Sequence, residues 1–173
     1  IPRHSRIIVE SIHRYPNVLD EVLIATAFLS TGSPFLLPQG LEIEARKAHH
    51  TFQDRMGDFV SYLKIFRAYT GARNKTRFCE QYYLDEKSME EIRNVKMQLE
   101  EIVTENGIPI LGGGTIRDYL CAVSKGLIQF VCVSGQKGGY RSLTAGQINI
   151  HPGSVMFRKR PRYIVAGEIV KTT

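Results

Sequence analysis

Along the first two thirds of the chain apolar residues recur at three and four positions; over the last third the spacing shortens toward two. That change of period predicts helices followed by short strands. Ile7, Ile8 and Ile12 fit a short helix over 5–14, stopped by Tyr15-Pro16 because proline disfavours a helical residue before it. Asn17 is then the expected N-cap of a helix over 18–29. Val18, Leu19, Val22, Leu23, Ile24, Ala25, Ala27, Phe28 and Leu29 make that helix apolar nearly all round, so it is expected to be buried on most sides. Ser30 to Pro34 ends it, Phe35-Leu36-Leu37-Pro38 is expected to tuck against the core, and 41–52 reads as a more polar helix.

Gly57-Asp58 is the clearest helix start, since an aspartate there can accept from the free amides of the first turn. Behind it Phe59, Tyr62, Leu63, Phe66 and Tyr69 or Thr70 form one aromatic face, closed by Gly71. A short helix over 74–83 follows. Ser88-Met89-Glu90-Glu91 offers a capping box for a longer amphipathic helix. Its stripe is Met89, Ile92, Val95 or Lys96, Leu99, Ile102 and Val103, and Asn106-Gly107 ends it. Gly112 to Gly114 reads as a flexible linker. Thr115 caps a last helix with Ile116, Tyr119, Leu120 and Val123 on one side, and Gly126 stands where a left-handed end residue is wanted.

Five short strands are expected beyond it, over 127–133, 140–143, 148–150, 155–157 and 163–170, with a turn at Gly138-Gly139. No helix there is long enough for a parallel crossover, so a small antiparallel barrel is predicted. The fold class is therefore α+β: an all-helical domain over 1–125, with 107–125 as a helical linker, then a β-barrel over 126–173. The final residues still read as a strand, so the barrel is expected to be incomplete at its C-terminus and the chain to be a piece of something larger.

Composition adds little until charge is divided along the chain. With 173 residues, 43% apolar and 23% charged, one good core or two small ones can form. Apolar runs fall far short of the roughly 20 residues that cross a bilayer. No signal peptide is visible, so a cytoplasmic protein with no membrane partner is expected. From Asn106 onward, however, nine Lys and Arg face two acids, whereas residues 1 to 105 carry fourteen bases and fifteen acids. Essentially all of the +6 net charge belongs to the strand-rich end. A field confined in that way suits a polyanion.

Candidate chemistry is sparse. Gly112 to Gly114 lacks the lysine and hydroxyl that a phosphate loop places on nucleotide and magnesium. His49 and His50 point about 100° apart on a helix and have no second ligand pair at suitable spacing. Cys79, Cys121 and Cys132 form no C-x-x-C pair. No nucleophile motif, catalytic set, metal site or cofactor is expected in this chain. The basic cluster is different: Arg158, Lys159, Arg160 and Arg162 fall between two strands, and Lys137, Tyr140 and Arg141 bracket the first hairpin. Cations that follow phosphates beside a ring that stacks on bases is how oligonucleotide-binding barrels hold a single strand. His151-Pro152 is expected to fix a turn.

Several pieces, in order, resemble the C-terminal region of DEAH-box RNA helicases. They are Gly57-Asp58 with its apolar helix; Arg77-Phe78-Cys79; Gln98-Leu99; Ile116-Arg117-Asp118-Tyr119-Leu120 leading into Gly126; Gly139-Tyr140-Arg141; Ile150-His151-Pro152-Gly153-Ser154-Val155; and Glu168 to Thr173. The match covers nearly the whole chain and looks closest to bacterial members. Phe78 stands where the family usually has tryptophan, and Gly153 where serine is frequent. The two RecA-like domains that bind ATP and magnesium are missing from the sequence. The resemblance thus implies a helical ratchet-like bundle and an OB-like barrel from an ATP-dependent helicase, inactive as an ATPase alone. It implies an accessory role in forming a channel for single-stranded RNA, or DNA, beside a RecA-like core of the same polypeptide. Lys137, Tyr140, Arg141, His151, Ser154, Arg158, Lys159, Arg160 and Arg162 would face the strand. The rival expectation is a protein-docking platform, where the basic loop receives the helicase core or an activator protein.

Overall fold

In a computed structural model, which describes residues 2–135 and 137–172, seven helices precede a three-stranded antiparallel sheet. The helices are α1 (Pro2–Arg14), α2 (Leu19–Ser30), α3 (Glu42–His50), α4 (Asp58–Gly71), α5 (Lys75–Gln81), α6 (Glu86–Glu105) and α7 (Ile116–Gly126). The strands are β1 (Val131–Ser134), β2 (Tyr140–Arg141) and β3 (Tyr163–Val165), in the order β2-β1-β3. The expected class is observed, with the sheet open rather than closed. No described helix is long and apolar enough to cross a membrane.

Helix α2 is the centre, as its unbroken apolar composition requires: Leu19, Val22, Leu23, Ile24, Ala25, Ala27 and Phe28 are all buried. Helices α1, α4, α6 and α7 pack around it. Its N-terminus differs from expectation. A short 3-10 turn over Pro16–Val18 leads in, and Asn17 caps nothing. Instead the Asn17 amide donates to Asp118 at the start of α7, and the Asn17 carbonyl accepts from Gly114.

The expected flexible glycine linker is fastened to the same place. Asp20 N–H donates to the Leu111 carbonyl and Gly113 N–H donates to Glu21 Oε1 at 2.8 Å. The first amides of a helix lack partners within it, and here the Leu111 carbonyl takes one of them. Small residues are needed because a Cβ on Gly114 would fall 2.6 Å from the Asn17 amide.

On the aromatic face of α4, Leu63, Phe66 and Tyr69 are buried as their spacing predicts, and Phe59 and Tyr62 are half-buried against the same core. Phe28 and Tyr62 stack at 4.5 Å, and burial pushes the Tyr62 hydroxyl up to about 12. Tyr69 donates its hydroxyl to Glu90 at 2.7 Å. Along α6, Met89, Ile92 and Val103 are buried while Ile102 is exposed. Lys96 takes the inner position, paired with Asp20 at 2.6 Å and Glu100 at 2.5 Å. Burial pulls its ammonium down, yet the hydrogen bonds to those two carboxylates hold it above its ordinary value. Of the 35–38 segment, Phe35 packs on the core but Leu36 and Leu37 stay exposed; the Leu36 amide donates to Tyr83.

Helix α6 also starts two residues before the expected capping box. Asp85 is its N-cap, accepting from the Ser88 amide at 3.0 Å and from the Ser88 hydroxyl at 2.6 Å. The Ser88 donors, the hydroxyl first, hold the Asp85 carboxyl below its usual value. Its stabilising contribution is therefore complete above the ordinary carboxylate range and lost as acid titrates through the lowered value. Asp85→Ala is expected to cost about 1 kcal/mol at neutral pH, as caps do. Urea melts of both proteins should converge in acid; a difference that persists there would remove the cap assignment.

Candidate nucleic-acid interface

One carboxylate is a main fastening of the C-terminal region to the helices. Gly57, with φ at +123°, turns the chain into α4 and is itself the cap residue, so Asp58 lies inside the helix with its side chain free for other use. Asp58 accepts from the Ser154 hydroxyl at 2.6 Å and from the Val155 amide at 3.0 Å. The expected N-cap is thus a dock for the His151–Met156 turn. Because Asp58 takes the Val155 amide, and Phe157 and Arg160 donate back to Ser154 and Met156, the expected strand over 155–157 is a run of turns.

The basic loop follows directly. Lys159 donates to the Arg55 carbonyl at 2.6 Å, which ties the loop to the α3–α4 connection. Arg160 donates to the Gly138 carbonyl at 3.1 Å, which ties it to the turn between β1 and β2. Arg160 has φ at +44°, a left-handed conformation costly for a side-chain-bearing residue and held here by its own two hydrogen bonds. These contacts bring Lys137 and Arg141 of the hairpin to the same end of the sheet as Arg158, Lys159, Arg160 and Arg162, and all six side chains are exposed.

What sets them apart is the local charge balance, nine Lys and Arg against two acids from Asn106 onward where residues 1 to 105 are nearly balanced. In the helical part Lys64, Arg67, Arg93 and Lys96 each meet a carboxylate. Among the described residues none of the six C-terminal cations does; Lys159 and Arg160 reach neutral carbonyls only. A carbonyl orients a cation without cancelling its charge, so the field remains available to a ligand. Shallow clefts along α6 are lined by Glu86, Lys87, Glu90 and Glu91 and by Glu100, Glu101 and Glu105, a mainly acidic surface poorly suited to phosphate.

Three of the predicted residues make contacts within the protein itself. Tyr140 is 4% exposed and its hydroxyl donates to the Pro161 carbonyl at 2.6 Å, so its ring is a wall of the β-module rather than a stacking platform. Ser154 spends its hydroxyl on Asp58. His151 is exposed, and its Nδ1 accepts from the Gly153 amide at 2.9 Å, closing the expected turn. Sequence reasoning missed Arg55, which no periodicity marks, and Tyr163, read only as a strand residue. Tyr163 is 59% exposed, with the Arg162 guanidinium 5.3 Å from its ring centre. His49 and His50 bond to the Tyr83 carbonyl and the Gln53 side chain, and burial pushes the Cys79 thiol up to about 11.

Comparison with known proteins agrees with this order of helices and strands. Residues 1–89 match the family described as helicase associated domain (HA2), ratchet-like, and residues 116–173 match the oligonucleotide/oligosaccharide-binding (OB) fold. The ATP-dependent RNA helicase HrpA of Borreliella burgdorferi is 41% identical over the whole chain, which spans 21% of that relative. The pre-mRNA-splicing factor ATP-dependent RNA helicase DEAH10 of Arabidopsis thaliana is 29% identical over 91% of the chain, which spans 24% of it. HrpA of Escherichia coli is 26% identical over 99% of the chain, which spans 14% of it. The chain belongs to the helicase-associated, ratchet-like family, with an OB-fold behind the helices, and so represents the C-terminal region of DEAH-box RNA helicases.

Proposed function

We propose that this chain is the accessory nucleic-acid-binding portion of an ATP-dependent RNA helicase and forms one side of the path of a single strand. The observation that carries this reading is the set of exposed cations on the OB module with no carboxylate partner among the described residues: Lys137, Arg141, Arg158, Lys159, Arg160 and Arg162. Phosphates replace solvent around such cations and release the strand's counterions. ATP and magnesium belong, on this reading, to a RecA-like core in the same polypeptide, which the relatives' names support and this chain's motifs do not supply. The chain's own part is binding and orientation: the Asp58 dock and the Arg55 carbonyl fix where the cations stand.

Binding of a fluorescently labelled oligouridylate, followed by anisotropy across a salt series, tests it. If about four phosphates are neutralised, the logarithmic slope for a single strand is expected near roughly −3. Replacing Arg158, Lys159 and Arg160 together by alanine should bring it to about −1. A flat slope for the unmodified chain, or an unchanged one for the variant, would sink the electrostatic reading. Intact RNA binding with loss of response to an activator protein would assign the loop to docking instead.

A further inference from the structure

The strand register places three residues in a row across the sheet. Arg141 of β2 pairs with Val133 of β1, and Val133 pairs with Tyr163 of β3. Directly paired residues project on the same side of a sheet. On that side Arg141 and Tyr163 are exposed and Val133 is half-buried, whereas Cys132 and Tyr140, of the opposite parity, are buried. At this end of the sheet one face is packed and the other wet, while further along the wet side Val165 is half-buried against the helical core. The wet face carries a cation, an apolar centre and an aromatic ring, in that order.

We propose that Tyr163 is a nucleobase-stacking platform for a single strand, with Val133 as its apolar floor and Arg141 taking a flanking phosphate. This deepens the RNA-binding reading above and rests on it. Burial of Tyr140 removes the ring that the sequence offered for stacking, and Tyr163 is the exposed aromatic beside the basic loop. The row spans two strand spacings, about 10 Å, so base and phosphate contacts stay separate. Arg162, already lying over the Tyr163 ring, adds a planar cation to the platform. The occupant is a single strand rather than an acidic peptide because every nucleotide brings a phosphate and a planar base together, whereas an acidic peptide supplies the charge with no obligatory ring. Stacking on a tyrosine face is tolerant of base identity, so the subsite holds the strand without reading sequence.

The test uses the full chain with three probes: oligouridylate, an abasic oligonucleotide of equal length, and oligonucleotides carrying 2-aminopurine at successive positions. Tyr163→Ala is expected to weaken oligouridylate binding about 5-fold or more, the lower end of what one stacked base contributes. It should leave abasic binding unchanged, while Tyr163→Phe behaves as the parent. With the unmodified chain, one 2-aminopurine position should be quenched on binding, a reading independent of whether any variant folds. If no position is quenched, or if Tyr163→Ala weakens abasic and base-bearing strands equally, the stacking site is wrong. With the salt slope still near its expected value, that failure leaves the RNA-binding reading standing. A chain that binds no strand in a salt-dependent way overturns both.

Discussion

Gly126→Ala is expected to lower the melting temperature by about 4–8 °C, the shift that about 2 kcal/mol produces in a domain of this size. Helix α7 crosses α1 at this residue. A Cβ there would sit 2.5 Å from the Ile7 Cα and 2.7 Å from both its amide nitrogen and its Cγ1. Two of those three atoms are backbone, so no change of rotamer removes the clash and the helices must separate. Overpacking of that kind costs roughly 1–3 kcal/mol, and contact with backbone favours the upper end. Exchanging glycine for alanine at a helix end returns at most about 1 kcal/mol. A thermal melt followed by helical circular dichroism checks it, and an unchanged midpoint would show that α1 and α7 do not approach so closely. The expected role of Gly126 was a left-handed helix end; its φ is not positive, and it is needed for the approach instead.

The second large effect belongs to Asp58. Asp58→Ala strips the acceptor from the Ser154 hydroxyl and the Val155 amide together, and hydrogen bonds to a charged group contribute roughly 1.5–3 kcal/mol each. Partial exposure of the site reduces this, so a loss of about 2 kcal/mol is expected for the pair. Amide exchange over 150–162 should quicken most, because that turn is held to the helices at this point. Ser154→Ala alone removes one of the two bonds. In a double-mutant cycle the two substitutions should be non-additive by about 1 kcal/mol. Full additivity would mean that Asp58 and Ser154 act separately and that the dock is not what positions the basic loop.

These two residues also mark where sequence reasoning stops. The Gly57-Asp58 pair was legible as a helix start, and the helix does start there. What Asp58 does with its carboxylate depends on a partner 96 residues away, and no local pattern encodes that distance. The same holds for the glycine run at 112–114, which reads as slack chain until its amides are seen to donate to the Glu21 carboxylate and the Asn17 carbonyl. Tyr140 and Tyr163 are alike in type and both fall on strands. Only the register of β1 with its two neighbours shows that one ring turns inward and the other outward.

The linear order of residues determined the helices, because a three-and-four apolar period can be buried in only one way. It determined the buried status of α2, because that helix has no polar face to leave in water, and it determined the positive C-terminal region, because charge is counted and not folded. Tertiary structure alone decided that the sheet stays open with three strands, that Asp58 docks the His151–Met156 turn, and which cations share one end of the module. Each of those depends on groups far apart in the chain meeting at hydrogen-bond distance, a condition that periodicity, being local, does not contain.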